Sequence, residues 1–430
     1  MDPATGLMDF ENNNRIWYGV PKLVGLGGIM ITAAIVGLSK GYFGGIGAHA
    51  FPFLWPDLGI YRWKSSKRPV RVYMDGCFDL MHYGHANALR QAKALGDVLV
   101  VGVVSDEEIV ANKGPPVLSM EERLILVSGL KWVDEVITNA PYEITEQFMN
   151  TLFNEYQIDY IIHGDDPCLL PDGTDAYAVA KKVGRYKQIK RTEGVSSTDI
   201  VGRILSTLRC TEVDGQANIA DSELCHNEGK PGSAGTGCME TLSHFLPTSR
   251  RIMQFSNAKG PGPDARVVYI DGTFDLFHAG HVEIFRYARQ FGDFLLVGIH
   301  SDQIVSHRRG SNPIMHLHER SLSVLACRYV DEVIIGAPWE VTTDMIRTFN
   351  ISLVVHGTVS ESGSSSEEMD PYSIPKAMGI FKTIVSPQNI TSSSIASRII
   401  HNLEAYKRRN LNKKKSENRY YEEKKFVSGD

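Results

Sequence analysis

The stretch Asp75-Gly-Cys-Phe-Asp-Leu-Met-His-Tyr-Gly-His-Ala-Asn-Ala-Leu89 returns 196 positions later as Asp271-Gly-Thr-Phe-Asp-Leu-Phe-His-Ala-Gly-His-Val-Glu-Ile-Phe285. Each copy follows a short apolar run, residues 70–73 and 267–270, so a strand has been duplicated together with the turn behind it. Past the histidines the period changes. Ala88, Leu89, Ala92 and Leu95 recur at helical spacing, which puts His82 and His85 where the turn becomes a helix. A helix start offers unpaired N–H groups and the positive end of a dipole, a setting suited to phosphate. Gly84 lets the backbone approach an oxyanion, and the two imidazoles can donate hydrogen bonds to charge that grows in a transition state. At 430 residues the chain reads as two α/β domains plus extra segments.

Between residues 69 and 208, strands are predicted at 70–73, 98–104, 136–137, 160–162 and 186–189, with helical stretches between them. Apolar runs flanked by helices make a parallel sheet buried on both faces, and open sheets of this kind bind ligands beyond the carboxyl ends of their strands. Three segments fall there: residues 75–85, His163-Gly-Asp-Asp166 and Arg191-Thr-Glu-Gly-Val-Ser-Ser-Thr-Asp199. The last places a guanidinium, hydroxyls and a glycine ahead of a helix, a second anion-binding terminus with Arg191 as clamp. A plain Ser/Thr N-cap accounts for Ser197 or Thr198 but not for Arg191 with Gly194. No Cys or second carboxylate pair stands near the histidines at metal-ligand spacing, so no protein-held metal is expected.

The duplicated His-x-Gly-His resembles the phosphate-binding signature of the nucleotidyltransferase superfamily. Arg191 to Thr198 resembles the Arg-Thr-x-Gly-Ile/Val-Ser-Thr signature of its cytidylyltransferase branch. The resemblance implies two tandem Rossmann-like nucleotidyltransferase domains and CTP as the nucleotide. It gives His82, His85, Lys113, Arg191 and Thr198 the work on the phosphates, with Gly76, Cys77, Ser196 and Ser197 completing the CTP pocket. Mg2+ is expected on the substrate rather than in a protein cage. Choline-type members carry one catalytic domain and a long amphipathic helix, whereas tandem copies resemble the branch acting on phosphoethanolamine. A primary ammonium needs acceptors, and the candidates are Asp165 and Asp166, then Tyr142 and Tyr177. An adenylyltransferase would lack the Arg191–Thr198 signature, and a nucleotide-binding membrane scaffold would not need intact motifs.

The second copy, residues 264–404, keeps half a site. Gly272, Thr273, Phe274, His278, His281, His356, Gly357 and Thr358 preserve the turn and the fourth-strand loop. Elsewhere Lys113 becomes Arg309, Arg191-Thr-Glu-Gly becomes Ser386-Pro-Gln-Asn389, and Ile390, Thr391, Ser392 and Ser393 still lead into a helix. This half is expected to bind cytidine nucleotide without completing transfer, and to pack on the first copy as a pseudo-symmetric partner in place of the homodimer of single-domain relatives. A homodimer of the whole chain is a further option.

Residues 1–68 lie outside the repeat. The run 23–39 is uncharged and is bounded by Lys22 and Lys40, which predicts a membrane anchor at the short end of the spanning range. Arg62, Lys64, Lys67, Arg68 and Arg71 follow it and place the domains on the cytosolic side. The plant form of the tandem branch carries such an anchor, so the resemblance implies the mitochondrial outer membrane ahead of the endoplasmic reticulum. Residues 209–263 read as a linker, flexible at 229–237, with 241–257 packing back. The charged tail 405–430 reads as a solvated helix end that frays. A net charge of −5 with no basic, aromatic-interleaved stripe argues against nucleic acid. Cys77, Cys168, Cys210, Cys225, Cys238 and Cys327 form no C-x-x-C pair and fit free thiols in a reducing compartment.

Overall fold

The computed structural model describes residues 68–214, 248–257, 259–359 and 370–423. The expected anchor at 23–39, the cations Arg62, Lys64 and Lys67, and the flexible run 229–237 lie outside the described residues.

The first domain alternates β1 (Arg71–Gly76), α1 (Tyr83–Lys93), β2 (Val98–Val104), α2 (Asp106–Asn112), α3 (Met120–Ser128), β3 (Glu135–Ala140), α4 (Glu146–Asn154), β4 (Tyr160–Gly164), α5 (Ala178–Lys182), β5 (Tyr186–Ile189) and α6 (Ser197–Asp214). A helix α7 (Thr248–Phe255) precedes the second domain. That domain runs through β6 (Val267–Gly272), α8 (Ala279–Ala288), β7 (Phe294–His300), α9 (Asp302–Arg309), α10 (Leu317–Leu325), β8 (Glu332–Ala337), α11 (Thr343–Thr348), β9 (Ile351–Gly357), α12 (Ser373–Ala377), β10 (Phe381–Ile384) and α13 (Ser392–His401). The last helix is α14 (Leu403–Glu423).

Both sheets have five parallel strands in the same order, β3-β2-β1-β4-β5 and β8-β7-β6-β9-β10. The order reverses between β1 and β4 and between β6 and β9, which opens a crevice at the carboxyl ends. The apolar inner strand β2, VLVVGVV, is buried on both faces. Its one interruption is steric: a Cβ on Gly102 would lie 2.1 Å from the Tyr73 hydroxyl oxygen, and Gly298 stands in the same relation to Tyr269. Expected strand ends were short. β1 continues through Asp75 and Gly76, and β3 spans Glu135–Ala140, because backbone pairing carries on where the side chains turn polar.

The two domains share one apolar core. Leu80, Met81, Leu118 and Ile200 meet their counterparts Leu276, Phe277, Met315 and Ile395. Around it the contacts come in symmetric pairs. Lys131 N donates to Ala326 O at 3.0 Å and Arg328 N to Gly129 O at 2.8 Å. Arg203 of α6 forks onto Glu319 of α10 at 2.6 and 2.9 Å, and Arg398 of α13 forks onto Glu122 of α3 at 2.7 and 2.8 Å. Each surface thus presents the same patch to its partner, the isologous geometry of a twofold dimer held within one chain.

The first domain's last helix continues past residue 208, to Asp214. One expectation needs correction. The tail is no fraying, solvated end: α14 begins at Leu403 and lies back on the first domain, burying Tyr406, Glu417 and Tyr420. Helix α7 does pack back as expected, with the Phe255 ring 4.9 Å from Trp132.

Candidate active site

The repeated turn is strained in both copies. Phe78 and Leu80 lie at φ 50°, and Phe274 and Leu276 at 52° and 45°, a region costing non-glycine residues on the order of 1–3 kcal/mol each. What holds it is the acid between them. The Asp79 carboxylate accepts from Val117 N and Leu118 N at 3.1 and 3.0 Å, and Asp275 accepts from Ile314 N and Met315 N at 2.7 and 2.8 Å. A fully buried arginine braces each turn from behind. Arg123 donates to the carbonyls of Cys77 and Val104 at 2.8 Å, and Arg320 to those of Thr273 and His300 at 2.6 and 2.8 Å.

His82 caps α1, and its Nδ1 accepts from Gly84 N at 3.1 Å. The proton of the neutral ring therefore sits on Nε2. His85 stacks on it at 3.9 Å between centroids, and its Nδ1 has no protein partner. Burial, then mutual repulsion, holds His82 well below the usual imidazole range, while burial brings His85 down to about 4. The pair is neutral at pH 7, so it donates hydrogen bonds without adding charge. Gly84 serves packing as much as approach, since a Cβ there would lie 2.8 Å from the His82 ring and 2.9 Å from Val195.

The second copy repeats this with the partners exchanged. His278 and His281 stack at 3.6 Å, but here His281 Nδ1 accepts from His278 N at 3.3 Å and His278 Nδ1 is unpartnered. Burial again depresses both, His278 to about 3.

A family model described as cytidylyltransferase-like matches residues 73–203 and again 269–398, one copy each. The chain belongs to that family. It is 67% identical to an ethanolamine-phosphate cytidylyltransferase of Arabidopsis thaliana over 86% of this chain and 89% of that one. A protein of the same description from Dictyostelium discoideum is 48% identical over 84% of this chain and 98% of its own length. Choline-phosphate cytidylyltransferase 2 of Arabidopsis thaliana is 43% identical over only 33% of this chain, about the extent of one domain.

Within the first cytidylyltransferase domain, the cations converge at the mouth of the crevice. Lys113 closes α2 with its Nζ 3.5 Å from Cys77 Sγ and 5.1 Å from the centre of the Tyr142 ring. Burial pulls its ammonium down, but Cys77, Tyr142 and Cys168 around it make the net shift upward. Arg191 reaches Asp166 at 3.7 Å and Glu417 of α14 at 2.7 Å. Thr198 Oγ1 also faces Glu417, at 3.4 Å. The neighbouring hydroxyls do other work: Ser196 accepts from Asp199 N at 3.1 Å as an ordinary cap, and Ser197 donates to Asp79 O at 3.2 Å. Of the three expected phosphate ligands in this turn, only Thr198 has its hydroxyl turned to the crevice.

The expected amine acceptors divide in the same way. Asp165 is buried, taking Arg191 N and the Tyr420 hydroxyl, both at 2.9 Å, and so ties β4 to β5 and α14. Tyr177 gives its hydroxyl to buried Asp75 and lies tilted against His163 with 4.4 Å between ring centroids, an arrangement repeated by Tyr372, Asp271 and His356. Tyr142 receives the Cys168 thiol at 3.5 Å. Asp166 keeps a face to the crevice; burial opposes its charge, but His163, Lys413, Arg191 and Lys113 hold it ionised below its usual range. Among the described residues no set of three His, Cys, Asp or Glu side chains is gathered to hold a metal. Cys77, Cys168 and Cys327 are free thiols.

In the second domain the clamp is gone. Ser386 N donates to Thr358 Oγ1 at 2.9 Å where Arg191 would stand, Thr391 caps α13, and Ser392 donates to Asp275 O as Ser197 does to Asp79 O. Ile390 is buried against Gly280. Ser393, the counterpart of Thr198, is exposed, while Thr198 is covered by α14. Reasoning from sequence missed Arg123, Arg320 and α14. For α14 a signal was present: Tyr406, Arg409, Lys413, Glu417 and Tyr420 are spaced 3, 4, 4 and 3, one face of a helix.

Proposed function

We propose that the chain transfers the cytidylyl group of CTP to phosphoethanolamine, giving CDP-ethanolamine and pyrophosphate for phospholipid synthesis. The observation that carries this reading is the stacked, neutral histidine pair at a helix start, facing Lys113, Arg191 and Thr198, in a chain whose full-length relatives carry that activity in their names. A phosphate oxygen of phosphoethanolamine attacks the α-phosphorus, a new P–O bond forms, and the bond to the β-phosphate oxygen breaks. The nucleophile is already largely ionised at pH 7, its second pKa being about 6, so no general base is required. The protein's task is alignment and charge. His82 Nε2–H and the His85 ring hydrogen-bond the oxygens around the α-phosphorus, where neutral donors do not disturb the approach of a second anion. Lys113, Arg191 and Thr198 hold the departing pyrophosphate. Mg2+ carried on the triphosphate would neutralise its oxygens. Asp79 and Asp166 already face arginines, which fits a metal held chiefly by substrate. Asp166 receives the ammonium.

The second domain binds cytidine nucleotide and braces the first. Residues 1–68 anchor the protein to a membrane, the mitochondrial outer membrane ahead of the endoplasmic reticulum; among the described residues no helix is long and apolar enough to span one. Purified protein offered CTP, ATP, phosphoethanolamine and phosphocholine in all pairings, scored by pyrophosphate release, should be fastest with CTP and phosphoethanolamine. Equal specificity constants for the two phospho-alcohols would overturn the substrate assignment.

A further inference from the structure

We propose that Lys413, on the helix at the far end of the chain, binds the triphosphate of CTP in the first domain's site. The inference rests on the cytidylyltransferase reading and adds a substrate-binding residue to it.

Helix α14 is fastened to the site at both ends. Near its start Tyr406 donates to Pro116 O at 2.9 Å, and Arg409 donates to Pro115 O and pairs with Asp79, both at 2.7 Å. Near its end Tyr420 bonds Asp165 and Glu417 bonds Arg191. Lys413 lies midway, one turn from Arg409 and one from Glu417, on the same face. Pro115 and Pro116 follow Lys113 after the single residue Gly114, so the helix is tied to the Lys113 loop.

Among the described residues the Lys413 ammonium has neither a hydrogen bond nor an ion pair, unlike the Arg409 guanidinium and the Glu417 carboxylate on the same face. It stands instead among Lys113, Arg191, Asp166 and Glu417, and burial followed by repulsion from Lys113 pulls it below the usual lysine range. A half-buried lysine set beside a second lysine and an arginine, with Asp166 and Glu417 already given to Arg191, is unfavourable unless a further anion is destined for the space between them. The charge of the substrates supplies that anion. CTP and phosphoethanolamine bring more negative charge than Lys113 and Arg191 can offset, and the histidines, being neutral, contribute none.

Glu417 sharpens the assignment. Its carboxylate rests on Arg191 and Thr198, where a phosphate oxygen belongs, and acts as a placeholder that must yield to substrate. A helix that only obstructed the site would need such a carboxylate but no cation beside it; α14 carries both.

The test is direct CTP binding by calorimetry on the full chain in a His278→Ala, His281→Ala background, which weakens the second domain's site and leaves the first to be read, independent of turnover, with steady-state kinetics alongside. Lys413→Gln should weaken CTP binding about 10- to 100-fold, the range of a lost charge-assisted hydrogen bond. The KM for CTP should rise more than the KM for phosphoethanolamine, with Lys413→Arg recovering part of the loss. Lys415→Gln, an exposed neighbour losing the same charge, should bind CTP as the parent does, which excludes a general electrostatic or folding effect. Parental or tighter CTP binding by Lys413→Gln would overturn the inference and leave α14 as an obstacle. Failure of the parent chain to turn over CTP with phosphoethanolamine would instead count against the functional reading, with the binding comparison still deciding the role of Lys413.

Discussion

The two sites began as one design and have diverged in a single direction. Both retain the strained turn, the buried arginine and the neutral stacked histidines. Only the first retains Lys113, Arg191 and Thr198, and only the first is covered by α14. What persists in both is the part of the site that is also core: removing Arg320 or Asp275 would leave buried polar groups unpaired and unfold the turn. What was lost in the second is the part that, in the proposed mechanism, serves only a reacting phosphate. The comparison separates residues kept by stability from residues kept by chemistry, a distinction that His278 and His281 straddle.

The sharpest way to break that comparison is to remove the histidines pair by pair. His82→Ala with His85→Ala should lower kcat/KM by at least about 1,000-fold, since one lost oxyanion donor alone costs about 100- to 1,000-fold. His278→Ala with His281→Ala should lower activity only several-fold and weaken nucleotide binding to the second domain. Comparable losses from the two double variants, measured by CDP-ethanolamine formation, would mean both sites turn over.

The interface gives a smaller asymmetry between symmetric partners. Glu319 is 1% exposed, so Arg203→Ala strands a buried carboxylate and should cost about 3 kcal/mol. Its mate Arg398 is itself 39% exposed and sits over Glu122, so Arg398→Ala should cost about 1 kcal/mol or less. Urea unfolding of the two variants reads the difference, and equal costs would show that burial does not set it.

The smallest effect is acidic. His85 and His278 are depressed to about 4 and about 3, against 6.5 when unfolded. A histidine depressed in the fold leaves stability untouched above pH 6.5 and removes it as the pH falls toward the folded value, because the unfolded chain binds the proton first. At pH 5.5 each should cost about 1.4 kcal/mol. Thermal melts should therefore fall between pH 7 and 5.5, and replacing either histidine by Gln should flatten the acid arm by a similar amount.

The strands, the parallel α/β class and the duplicated turn were legible because each is local: a strand, a turn and a helix follow one another within fifteen residues. The roles of Asp165, Tyr177, Ser196 and Ser197 were not. An acid or hydroxyl in a site-facing loop reads the same whether it meets substrate or ties down the loop, and only the partners at Arg191 N, Asp75, Asp199 N and Asp79 O decide it. Helix α14 was harder still. Its composition is that of a solvated helix, its anchors are polar, and their partners lie more than 200 positions away.

That distance has a meaning in time. Thr198 and Glu417 are 219 positions apart, and at about 5–20 residues per second a ribosome needs roughly ten to forty seconds to travel between them. Through that interval the first domain can emerge and fold with its crevice bare. The roof arrives only after both sheets have been made, so a product cut off before α14 would hold every motif residue and still lack the contacts of Glu417 with Thr198 and Arg191.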